Sequence, residues 1–140
     1  MGVVWRWGAI TGGLVVLVDL IAAMLSSGQP DTNPRVQAAQ IIDLLVNLTL
    51  YSVCGYRVGL LTRVVRSAAE AGVTAGVIAG VALAVTNQFV PPPLGNPPLS
   101  PAGGLALDVA VSGLALNVAM GGLLSFGFGF MGSRLPATRA

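Results

Sequence analysis

The chain has 140 residues, of which 54% are hydrophobic and 9% charged, with a mean hydropathy of +0.83. A soluble domain carries about 25% charged residues, so this composition excludes an ordinary soluble fold and points to a membrane protein. There is no histidine and a single cysteine, Cys54, which removes intrachain disulfides, the common zinc sites, histidine-ligated haem and histidine-dependent nucleophile chemistry. The net charge of +2 rests on seven dispersed arginines against five acids, too little for a nucleic-acid footprint.

Four apolar stretches each supply the roughly 20 residues that cross about 30 Å of hydrocarbon. They predict an all-α, polytopic membrane protein with spans near 3–25, 36–58, 67–90 and 104–130, forming one four-helix transmembrane domain over residues 1–140. The first stretch is too long for a signal-peptide core and is interrupted by Asp19, so it is expected to be retained as a span. Arg6, Arg57, Arg63, Arg66, Arg134 and Arg139 fall on one side of this topology and only Arg35 on the other. The excess places both termini in the cytoplasm, with Trp5, Trp7 and Tyr56 at that interface. The expected location is a bacterial cytoplasmic membrane.

The first connection, "SSGQPDTNPR" (26–35), offers Asn33 as a cap for the second helix and Pro34 for its first turn. The third, "PPPLGNPPLSP" (91–101), holds six prolines and is expected to be a stiff connector.

In the third span Ala68, Gly72, Gly76, Gly80 and Ala84 form a stripe at spacing four. Each glycine costs a soluble helix about 1 kcal/mol relative to alanine, so the pattern serves something other than helix propensity. Small residues let membrane helices approach backbone to backbone. The fourth span carries a similar row, Gly113, Asn117, Gly121, Ser125 and Gly129, and the first carries Gly8 and Gly12. The simplest expectation packs the third helix against the fourth, with self-association or attachment to a larger complex as the alternatives.

An acid lies within or beside every span: Asp19, Asp43, Glu70 and Asp108. Glu70 follows Arg66 by four residues, as an ordinary helical ion pair does. The three aspartates all fall within roughly 10 Å of the outer boundary by helix rise. Asn87 and Gln88 reach the same level, and Gln40 and Asn47 share a face with Asp43. This layer, with Asn117 beyond it, predicts either a hydrogen-bonded network that holds the bundle in register or an outward-facing site for a proton or cation. Phe126 and Phe130, in "FGFGF", share a helical face at the cytoplasmic boundary and are expected to contact lipid.

Enzymatic activity is the least supported class, because no phosphate-binding loop, metal-ligand cluster or nucleophile elbow is present in the sequence. No cofactor is implied. The sequence points first to an accessory or assembly subunit of a larger membrane complex, with the lipid bilayer and other membrane subunits or further copies of itself as partners and no nucleic acid. The alternative is a small oligomeric channel or proton- or cation-coupled transporter using Asp19, Asp43 and Asp108.

Overall fold

The computed structural model describes residues 2–30, 32–86 and 104–135, and of residues 104–110 the backbone alone. Four helices account for nearly all of it: α1 (Val3–Ser26), α2 (Pro34–Thr62), α3 (Val65–Thr86) and α4 (Gly104–Arg134). Each is long and apolar enough to cross a membrane. The lowest mean hydropathy, 1.4, belongs to α2, the helix that carries Gln37, Gln40, Asp43 and Asn47.

The boundaries follow local chemistry. Asn33 caps α2, its Oδ1 accepting from the Arg35 amide at 3.0 Å, and Pro34 occupies the first turn, where no amide donor is required. At the other end α2 runs past Val58 to Thr62, which shortens the connection expected before Ser67 to Arg63 and Val64. Leu60 and Leu61 extend the apolar run, and a continued helix satisfies backbone groups that a loop would expose. Arg63 closes α2 in a left-handed conformation, φ 61°, with its amide donating to the Gly59 carbonyl. Its guanidinium reaches across to the Ser133 and Leu135 carbonyls at the end of α4.

Helix α2 packs antiparallel to α1 and parallel to α4, while α3 packs parallel to α1 and antiparallel to α4. Among the described residues α1 and α4 share no contact, so they occupy opposite corners, with α2 and α3 meeting across the short diagonal. Both described ends of the chain and the α2–α3 connection consequently lie at one end of the bundle, together with Arg6, Arg57, Arg63, Arg66 and Arg134.

Small residues set the spacing. The expected face of α3 packs on α4: a methyl group added at Gly72 would overlap the Gly121 carbonyl oxygen, and one at Gly76 would stand 2.8 Å from the Val118 Cα. A methyl group added at Gly80 would likewise stand 2.7 Å from the Leu114 Cα. Gly113 departs from the expected row, since a methyl there would meet only the Leu83 side chain at an ordinary 3.6 Å. Beyond that row, Gly8 and Gly12 of α1 face the Ala71 and Ala75 carbonyls of α3. A second α3 row, Ala71, Ala75 and Ala79, is fully buried among Val15, Tyr51, Cys54 and Val58. Lipid provides no hydrophobic drive between helices, so these close approaches and their dispersion contacts hold the bundle together.

Candidate functional site: an acid pair clasped between α1 and α2

The spacing of α2 places Asp43, Asn47, Tyr51, Gly55 and Gly59 in one row, one residue per turn. Its half nearest the arginine-rich end is glycine against backbone, with Gly55 on Ser125 and Gly59 on Gly129. The other half is polar. Asn47, only 7% exposed, donates from Nδ2 to Asp19 Oδ1 on α1 at 2.7 Å and stands 3.5 Å from Asp43 Oδ1 one turn away. Both carboxyl groups thus converge on one amide.

Two features distinguish this cluster from ordinary interhelical glue. First, no arginine pairs with either aspartate among the described residues, where the ion pair present is Arg66–Glu70 at 2.9 Å at the far end of the bundle. Both carboxylates are half-buried, and helix rise puts them about 10 Å or more inside the helix ends at Ser26 and Pro34. Second, the Asn47 Oδ1 is buried with no hydrogen-bond partner among the described residues. A buried acceptor left unpaired costs about 1–3 kcal/mol, so the site holds an unfilled demand for positive charge or a donor.

One turn further along α2, the fully buried Tyr51 donates its hydroxyl to Asn117 Oδ1 at 3.1 Å, and Asn117 Nδ2 donates to the Gly113 carbonyl at 3.1 Å. Ser125 Oγ donates to the Tyr51 carbonyl at 2.9 Å. Tyr51 thereby ties α2 to α4 one turn from the acid pair. Below it the interior closes, because the backbone approaches at Gly55, Gly59 and Gly72 leave no room for a methyl group, still less for a hydrated ion.

The structure therefore brings Asp19, Asp43 and Asn47 together and puts Asn117 in a separate hydrogen-bonded pair one layer deeper. Asp108 belongs to the first turns of α4, but its side chain lies outside the described residues, as do Asn87, Gln88 and the proline-rich 91–101 connection. Tyr51, Gly55 and Gly59 are the residues that sequence reasoning passed over, although the spacing of four from Asp43 marks them. Phe126, Phe128 and Phe130 are exposed on the outer surface, with Arg134 stacked 4.6 Å from the Phe130 ring centroid.

Compared with protein-family models, with curated proteins and with solved structures, the chain matches none. Its class rests on its own fold: four helices of spanning length and composition make it a multi-pass membrane protein.

Proposed function

We propose that the protein works as a small accessory or assembly subunit within a larger membrane complex, in a bacterial cytoplasmic membrane with both termini cytoplasmic. The observation that carries this reading is the acid pair: two half-exposed carboxylates, at a depth where lipid chains surround the helices, with no cationic partner from the described residues. Lipid is a poor neighbour for such groups, whereas a second membrane protein shields their exposed sides. The small-residue faces are engaged within the chain, so a partner would meet other surfaces of the bundle.

The test is the native mass of protein extracted gently from its own membranes, with co-purifying polypeptides identified. A stable assembly containing different subunits is the expected result, and a lone monomer would refute it. A second reading, a small cation-coupled carrier, draws on the orphaned Asn47 acceptor beside the acids. It predicts a homogeneous homo-oligomer. The closed glycine half argues against an open pore along the bundle axis of a single chain.

A further inference from the structure

We propose that Asp19, Asp43 and Asn47 form a binding site for one hard divalent cation of the calcium class. This goes beyond the subunit reading and does not depend on it.

Three oxygen-bearing groups converge here from two helices: the Asp19 and Asp43 carboxylates and the Asn47 amide, which points into the pair and is more than nine-tenths buried. Two adjacent carboxylates repel, and the Asn47 Nδ2 is turned toward both of them as a side-chain donor. That arrangement strands the amide oxygen, which is the state observed. A half-turn of the amide exchanges two ends of nearly equal size and brings Oδ1 to the carboxylates. The donor set then consists of oxygen alone, the set preferred by hard cations and avoided by soft ones.

Charge selects among hard cations. Two carboxylates carry two negative charges, and in a medium of low dielectric a divalent ion neutralises both, while a monovalent ion leaves one uncompensated. Coordination number points the same way. Calcium accepts six to eight oxygens in flexible geometry, including bidentate carboxylates, and two bidentate carboxylates with one amide oxygen supply up to five of them.

The test is equilibrium dialysis of the purified full chain in lipid nanodiscs with radioactive calcium, at constant ionic strength set by sodium chloride. One saturable calcium per chain is expected, displaced by excess magnesium but not by sodium. Asp19→Asn and Asp43→Asn should each weaken it at least about tenfold, since lost support for a metal ligand already costs 10–100-fold. Infrared difference spectra of the wild type, which need no variant, should show both carboxylate stretches shifting on calcium addition. Absence of saturable binding, equal displacement by sodium, binding that survives in the Asp19→Asn/Asp43→Asn double variant, or unchanged carboxylate bands would each overturn the proposal.

Discussion

Gly72 and Gly121 face each other reciprocally: a methyl group on either one would strike the carbonyl oxygen of the other. This is the tightest point of the α3–α4 interface, and neither neighbour is a side chain that can turn aside. Gly72→Ala or Gly121→Ala should therefore destabilise the bundle by at least about 1–3 kcal/mol, the cost of overpacking a core. Gly127→Ala, where nothing lies within 4 Å, should be neutral or slightly stabilising. Reversible unfolding in mixed micelles compares the three variants directly.

Tyr51 ties α2 to α4 through its hydroxyl and its carbonyl. Tyr51→Phe should cost about 0.6 kcal/mol, up to about 1.7, the range measured for interhelical hydrogen bonds in a membrane. Combined with Asn117→Ala in a double-mutant cycle, it should show positive coupling, because each change removes the same bond. Strict additivity would mean that the hydroxyl and Asn117 do not meet.

Arg63 combines an unfavourable backbone with a favourable side chain. Its left-handed φ of 61° costs a non-glycine residue about 1–2 kcal/mol, while its guanidinium satisfies carbonyls at the end of α4, where positive charge also meets the helix dipole. Arg63→Ala keeps the strain and loses the contacts, so it should lower stability. Arg63→Gly loses the contacts but relieves the strain, and should stay within about 1 kcal/mol of wild type. Thermal unfolding of the two variants should rank alanine below glycine.

The acid pair makes a prediction of unusual sign. In calcium-free buffer Asp43→Asn should unfold at the same or a higher temperature than wild type. It removes one of two adjacent carboxylates and supplies a second amide donor to Asp19. A marked loss of stability would mean that the carboxylate at 43 is already compensated in the resting protein.

Much of this organisation is legible in the residues. Stretches of twenty apolar positions announce the four helices, and the Gly72–Gly76–Gly80 stripe announces a close interface, because a missing side chain has few other uses in a membrane helix. Asn33 and Pro34 mark the start of α2 for local reasons that need no tertiary contact. The pairing of helices was less accessible. Periodicity tells which residues share a face but not which helix meets that face, and the opposite corners taken by α1 and α4 follow from contacts far apart in sequence.

The α2 row illustrates the same limit. Asp43, Asn47, Tyr51, Gly55 and Gly59 share a spacing but no chemistry, so a search for like residues passes over it. Its logic appears only with α1 and α4 in place, where the polar half meets Asp19 and Asn117 and the glycine half meets backbone. The asymmetry between Asn117 and Asn47 arises in the same way. Both are asparagines on interhelical faces, yet Asn117 finds Tyr51 and its own helix, and Asn47 is left with an oxygen unpaired among the described residues.

The clasp between α1 and α2 is tested most directly by thiol cross-linking in native membranes. With Cys54 replaced by alanine, Asp19→Cys and Asn47→Cys are introduced together and treated with a short bifunctional thiosulfonate reagent. Asp19→Cys with Phe128→Cys, on helices that share no contact, serves as the control. Efficient linkage within one chain for the first pair, and none for the control, is the predicted result. Absence of linkage between positions 19 and 47, or linkage only between chains, would contradict the clasp and with it the site.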